Sequence, residues 1–373
     1  MAADVGTSVM LAAGGTGGHL FPAFALAQEL GRRTVPVDLV TDMRGDRYGA
    51  DFPARAVYRV PSATLVGRSP YAAAETAWML MRGIAAAFKL LGQVRPGAVV
   101  GFGGYPAFPP LVAAKLRKIP TALHEQNAVL GRANRMLAKR VTAIATSFDH
   151  TRHLDGPALA RARLTGNPVR DQVIEWSAQD YHAPGRDGPF SLLIFGGSQG
   201  ARFFSDTLPP ALALLPAEIR ASLFVVQQCR EEDLARVELA YREAGVRSHL
   251  ATFFPNLPEE MAKAHLVIGR AGASTVAELT VMGRPAILVP LPHSIDNDQL
   301  QNATRLAESG AAWCIEQKEL TPERLASALS RLLGSPETLA QAADAAKRQG
   351  RPDAVARLAD LVEELVGRRG KSA

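Results

Sequence analysis

The same construction occurs twice in this chain, 182 positions apart. Residues 8–12 form a short apolar run that leads into Gly14-Gly15-Thr16-Gly17-Gly18 and then into a segment with helical spacing. Residues 191–195 lead in the same way into Gly196-Gly197-Ser198-Gln199-Gly200 and a second such segment. An apolar strand, a glycine turn and a helix in succession open a parallel βαβ unit, and each copy here begins a fresh series of them. Further β-branched runs at 37–41, 98–102, 121–124, 143–145, 223–227, 266–268 and 286–290 read as strands. Between them, windows such as 23–30, 110–118, 275–282 and 299–308 carry apolar residues at helical spacing. Such alternation calls for parallel sheets with helices on both faces. The expectation is an α/β chain of two Rossmann-like, doubly wound domains facing across a cleft. Residues 1–168, joined by a last helix within 352–373, make the first domain, and residues 169–351 make the second. The joint falls near Gly166-Asn167-Pro168.

The length of 373 residues supports two independent cores, and 47% hydrophobic with 21% charged residues describes a globular chain. Only two cysteines occur, Cys229 and Cys314, which excludes a disulfide framework or a cysteine zinc site and fits a reducing cytoplasm. The opening MAADVGTSVMLAAGG has no basic n-region and does not read as a signal peptide. No stretch approaches the roughly 18 uncharged apolar residues of a spanning helix. The expected protein is soluble, or lies on a membrane surface.

Residues 1–168 hold 20 Lys and Arg against 10 Asp and Glu, although the whole chain carries only +6. A basic first half suits a polyanionic surface, an anionic lipid or a phosphate-bearing substrate; solvated charge without a partner is the plain alternative. Nucleic acid is not expected, because aromatic residues are not interleaved with the Arg and Lys.

Glycines between strand and helix let backbone N–H groups approach a ligand closely, at the positive end of the helix. Neither loop is a Walker A, since no Gly-Lys-Ser/Thr follows. Neither fits the dinucleotide fingerprint: Leu20 stands where its third glycine belongs, and no clear acidic partner follows at the expected distance. That argues against a nicotinamide-dependent oxidoreductase. A third glycine segment, Gly101-Phe102-Gly103-Gly104-Tyr105, favours an anion or sugar site over plain turns. Four polar segments sit at strand ends: His124-Glu125-Gln126-Asn127, Gly166-Asn167-Pro168-Val169-Arg170, 269–275 with Glu278 beyond it, and 290–299. Each has a plainer reading, as a capped turn, a linker, or (for Glu278) a first-turn acid favoured by the helix dipole. Asp296-Asn297-Asp298 lacks the supporting ligands of a metal pair, so no metal is expected.

These segments, in this order, resemble the MurG family of GT-B cell-wall glycosyltransferases. The matching stretches are AGGTGGHLFPAFALA, GFGGYPAFP, LHEQNAVLGRANRMLA, TGNPVR, FGGSQGAR, GRAGASTVAEL, MGRPAILVPLP and DNDQLQNA, spanning about residues 8–303. The resemblance implies transfer of N-acetylglucosamine from UDP-GlcNAc to the 4-hydroxyl of MurNAc in undecaprenyl-pyrophosphoryl-MurNAc-pentapeptide (lipid I), giving lipid II for peptidoglycan. Another UDP-sugar GT-B enzyme or a UDP-GlcNAc 2-epimerase is the alternative.

Carried over by residue, the resemblance implies that Arg170 and Ser198 contact the donor diphosphate and Phe254 offers its backbone to uracil. Ala273, Ser274, Thr275, Val276, Ala277 and Glu278 line the nucleotide, with Glu278 on the ribose. Gln299 holds sugar hydroxyls, and Thr16, Gly17, Gly18 and Asn127 close over the donor sugar. Gly14, Gly15, Gly103, Gly104 and Tyr105 are assigned to the acceptor pyrophosphate. The attacking hydroxyl has a pKa far above 7 and needs a base, for which His19 is the candidate and Glu125 its rival; the plain alternative for His19 is a helix-start histidine that only bonds backbone. Inversion in a single displacement is expected, with no cofactor. The lipid tail implies a peripheral position on the cytoplasmic face of the inner membrane. There, Trp78, Met81, Ile84, Phe88 and Leu91, flanked by Arg68, Arg82 and Lys89, form either an interfacial stripe or a helix packed on its sheet.

Overall fold

The computed structural model describes residues 8–14, 17–42, 52–63, 70–185, 188–196 and 202–370. The chain divides into two compact units, Met1–Arg170 with Pro352–Ala373, and Asp171–Arg351. The division falls after Arg170, two residues beyond the joint read from the sequence.

The first unit holds a seven-stranded parallel sheet of β1 (Val9–Ala12), β2 (Val37–Thr41), β3 (Ala56–Arg59), β4 (Ala98–Gly101), β5 (Thr121–Glu125), β6 (Ala143–Thr146) and β7 (Ala162–Leu164). Its order is β3-β2-β1-β4-β5-β6-β7. Successive residues of a strand point to opposite faces, so β1 feeds two cores. Val9 and Leu11 pack with Leu26 and Leu30 of the helix Gly17–Arg32 and with Leu358, Val362 and Leu365 of the last helix, Ala354–Gly370. Met10 and Ala12 pack on the other face with Leu91 of Pro70–Val94 and Leu111 of Gly104–Leu116. Each large side chain so buried contributes about 1.5–3 kcal/mol. The last helix is also tied by Arg33, whose Nη1 reaches Asp360 at 2.6 Å and Glu363 at 2.8 Å.

The second unit holds β8 (Phe190–Phe195), β9 (Leu223–Gln228), β10 (Arg247–Ala251), β11 (Leu266–Gly269), β12 (Ala286–Leu288) and β13 (Ala312–Cys314). These are parallel and ordered β10-β9-β8-β11-β12-β13. A fully buried arginine, Arg284, donates to the carbonyls of Gln179, Met261, Ala262 and Met282, closing helix ends that would otherwise leave orphan acceptors.

Four strands that the sequence does not announce, β3, β7, β10 and β13, are the four sheet edges. Their patterns alternate or are only partly buried, because one side of an edge strand meets no neighbour.

The helix Pro70–Val94 resolves the two readings of its stripe. Leu91 is buried and Ile84 half-buried against the sheet, while Trp78, Met81 and Phe88 are exposed beside exposed Arg82 and Lys89. Arg68 lies outside the described residues. Among the described residues, no helix is long and apolar enough to cross a membrane.

Candidate active site

In an open α/β sheet, ligands bind beyond the carboxyl ends of the strands, where the strand order reverses. In the first unit that point lies between β1 and β4, which pair directly. The first glycine loop leaves β1 and Phe102-Gly103-Gly104 leaves β4, so sheet order brings together two segments 90 residues apart in the chain. In the second unit the reversal lies between β8 and β11, which also pair.

His19 stands in the first turn of Gly17–Arg32, half-buried, with Nδ1 3.3 Å from the Gly14 carbonyl. A proton on Nδ1 donates to that carbonyl and makes Nε2 the basic atom of the ring. The ring lies against the glycines of the β4 loop. A Cβ on Gly104 would stand 3.2 Å from His19 Cε1, and one on Gly103 would stand 3.5 Å from Nε2. Gly103 and Gly104 have positive φ, +89° and +68° respectively, a region side-chain-bearing residues rarely adopt. Tyr105 follows, half-buried.

Gly14 is a glycine for a packing reason. A Cβ there would meet Thr41 Oγ1 at 2.8 Å and Asp42 Oδ1 at 3.2 Å. Asp42, only 4% exposed at the end of β2, occupies the place of the ribose-binding acid in dinucleotide folds. The sequence reading found no clear acid at that distance; the offset from the loop is longer than the fingerprint allows, and sheet pairing supplies what spacing did not. Gly17 is buried, with a Cβ position 3.0 Å from the Phe21 ring, and Gly18 is exposed. Gly15 and Thr16 lie outside the described residues.

At the end of β5, Glu125 is 1% exposed and its carboxylate accepts four hydrogen bonds. Oε1 takes the Asn127 backbone N–H at 3.0 Å and its Nδ2 at 3.3 Å; Oε2 takes the Gly131 N–H at 2.9 Å and Asn134 Nδ2 at 2.7 Å. Burial raises the carboxyl above its ordinary value, and these donors oppose that shift. His124 is buried beside it. Its Nε2 donates to the Gly166 carbonyl at 3.0 Å while Nδ1 accepts from Gln126 Nε2 at 2.9 Å. Burial holds it neutral, with a pKa pushed down to about 4. Gln126 also donates to the Phe102 carbonyl at 2.9 Å, joining the β5 and β4 loops. This segment is therefore a braced loop rather than a simple capped turn. Arg170, half-buried, places its guanidinium 5.6 Å from the Phe21 ring centroid.

In the second unit, the helix Ala273–Met282 starts after Gly272 with no side-chain cap, leaving its first N–H groups for a ligand or solvent. Ala273, Ser274, Thr275 and Ala277 are half-buried, and Ser274 Oγ is buried without a protein partner. Val276 is buried in the core, so only its backbone can meet a ligand. Glu278 is 7% exposed in the second turn, which removes its reading as a first-turn acid. The loop before this helix is fixed by Asn302, whose Nδ2 donates to the Ala271 carbonyl at 3.1 Å, and by Arg270, which donates to Val289 and Pro290. Phe254 is buried, edge-on to His249, and its neighbour Phe253 is 71% exposed. Gln299 Oε1 accepts from the Leu291 N–H at 3.0 Å, leaving its amide hydrogens to donate. Ser198 lies outside the described residues. Among the described residues, no three His, Cys, Asp or Glu gather as a metal site.

Residues 9–146 match the glycosyltransferase family 28 N-terminal domain, and residues 191–358 match its C-terminal domain. The chain is 54% identical over 357 residues to UDP-N-acetylglucosamine--N-acetylmuramyl-(pentapeptide) pyrophosphoryl-undecaprenol N-acetylglucosamine transferase of Methylobacterium sp. (strain 4-46), covering 95% of this chain and 96% of that protein. Its structure resembles that of Acinetobacter baumannii MurG with a TM-score of 0.80 and 30% identity, over 96% of this chain and 99% of that one. The UDP-GlcNAc 2-epimerase of Neisseria meningitidis shares the fold at a TM-score of 0.67, over 97% of this chain and 100% of that one, but only 14% identity, which shows the fold alone. The fold is thus the two-domain GT-B arrangement, and the chain belongs to glycosyltransferase family 28, within its MurG group.

Proposed function

We propose that this chain is the hexosyltransferase that moves N-acetylglucosamine from UDP-GlcNAc to the 4-hydroxyl of MurNAc in lipid I, forming lipid II. The sustained identity with curated transferases of that name carries the choice of substrates. The His19 ring, braced on Gly103 and Gly104 at the switch point of the first sheet, supports the chemistry.

The acceptor hydroxyl is too weak an acid to attack unaided. His19 Nε2 takes its proton as the C–O bond forms, the bond from the anomeric carbon to the UDP oxygen breaks, and the configuration inverts. Glu125 acts differently in this reading: with four donors on a buried carboxylate, it shapes the loop that carries Asn127. Departing UDP gains negative charge. We assign its diphosphate to Arg170 and the second glycine loop with Ser198, and the ribose and base to the segment from Ala273 to Glu278 and the backbone of Phe254. Contacts to the sugar are assigned in the second unit to Gln299 and in the first to Thr16, Gly17, Gly18 and Asn127. The acceptor pyrophosphate is assigned to Gly14, Gly15, Gly103, Gly104 and Tyr105. The exposed Trp78, Met81 and Phe88, with Arg82 and Lys89, suit the anionic lipid of the cytoplasmic leaflet, where a lipid-linked acceptor resides.

Incubation of the purified chain with UDP-GlcNAc radiolabelled in the sugar and a lipid I analogue tests this. Label should move to the lipid-linked product. Label found instead in an epimeric UDP-sugar, with none on lipid, overturns it.

A further inference from the structure

Asn134 is an odd residue for its place. It is the third residue of the helix Arg132–Ala138 and is 3% exposed, although Asn is a poor helix former and a costly one to bury. Its amide is held from one side only. Nδ2 donates to Glu125 Oε2 at 2.7 Å, and Oδ1 is buried with no protein partner. The carboxylate dictates that orientation, because the reverse would set two oxygens against each other.

The other side of the amide meets the β4 loop. A Cβ on Gly103 would stand 3.2 Å from Asn134 Nδ2 and 3.5 Å from Cδ2 of His19. Gly103 is therefore the slot between an amide and an imidazole. Behind the amide stands a carboxylate whose remaining donors are Asn127 and the Gly131 N–H.

We propose that Asn134 is a positioning residue, pinned by Glu125, that forms the back wall of the Gly103–Gly104 loop and thereby fixes the His19 ring. It touches no substrate in this assignment. The inference rests on the reading of His19 as the base, but its structural half does not.

Two measurements test it. Hydrogen exchange followed by mass spectrometry on Asn134→Ala should show faster exchange in peptides covering 101–106 and 125–132, and unchanged exchange across Ala273–Met282. Unchanged protection at 101–106 overturns the wall, whatever the chain's activity. In the transfer assay, Asn134→Ala should lower kcat by about tenfold or more, because a displaced ring loses its alignment with the attacking hydroxyl. The Kd for UDP, which carries no sugar for Asn127 to hold, should stay within about twofold.

The shape-conserving Asn134→Asp separates positioning from bulk packing. It sets a second carboxylate against Glu125, so the pair must share a proton to stay together. The titratable groups around this point are Glu125, His124 and His19. Activity of this variant should fall with rising pH where the wild type holds level. A profile that tracks the wild type, or an Asn134→Ala kcat within about twofold of it, overturns the inference. A wild type that makes no lipid II overturns the proposed function instead.

Discussion

The imidazole of His19 rests on the backbone of Gly104: a Cβ built there would stand 3.2 Å from Cε1 and 3.3 Å from Nδ1. One side chain and one missing side chain, brought together from different strand ends, set the geometry on which the transfer reading depends.

Gly104→Ala should therefore act twice. The φ of +68° costs a side-chain-bearing residue about 1–2 kcal/mol, and the methyl group pushes the ring from its seat. Urea unfolding should show the stability loss, and kcat should fall while the KM for UDP-GlcNAc holds. Wild-type turnover in Gly104→Ala would detach the ring's position from the chemistry.

His19→Ala should cut turnover roughly 10²–10⁴-fold, the usual contribution of a general base. UDP binding, measured by calorimetry, should persist, since the nucleotide is assigned to Arg170 and to residues of the second unit and not to His19. Near-normal turnover moves the base elsewhere. Glu125, with both oxygens occupied, is a poor successor.

Phe253 is 71% exposed beside the backbone assigned to uracil. A solvent-facing aromatic ring next to a base site offers a stacking surface worth about 1–3 kcal/mol for a nucleobase. Phe253→Ala should raise the UDP-GlcNAc KM by about tenfold, with the acceptor KM unchanged. An unaltered donor KM removes the stacking role.

His124 and Glu125 are neighbours with opposite acid responses. His124 is held at a pKa of about 4, below its ordinary 6.5, chiefly by burial. Unfolding then takes up a proton between those values, so its contribution to stability is present above pH 6.5 and is lost as pH falls towards 4. Glu125 is raised above its ordinary 4.5 by burial, so it favours the folded state as pH falls through its folded value. The urea midpoint of wild type should drop between pH 6.5 and 4 more steeply than that of His124→Gln. Parallel curves for the two proteins would rule out this origin of the acid loss.

Much of this was legible in the sequence. The duplicated strand–glycine–helix opening announced two doubly wound units, because a continuous β-branched run and a following glycine turn are local properties. The central strands were read for the same reason: buried on both faces, they are apolar throughout, as β1 and β4 are. The edge strands escaped. β10, reading Arg-Ser-His-Leu-Ala, has no apolar run, and only its pairing to β9 makes it a strand.

The site divides along the same line. Glycine loops, the HEQN segment and His19 stand out because residue type alone suggests their chemistry. Whether Glu125 is a base or a brace depends on how many donors converge on it, and Asn134 comes from a helix nine residues further on. That Thr41 and Asp42 crowd the Cβ position of Gly14, so that only glycine fits there, is likewise visible only in the fold. Residue types and their order determined the family and the fold. Burial and convergence of donors, which are properties of packing rather than of sequence, decided which polar groups are poised for chemistry and which hold the others still.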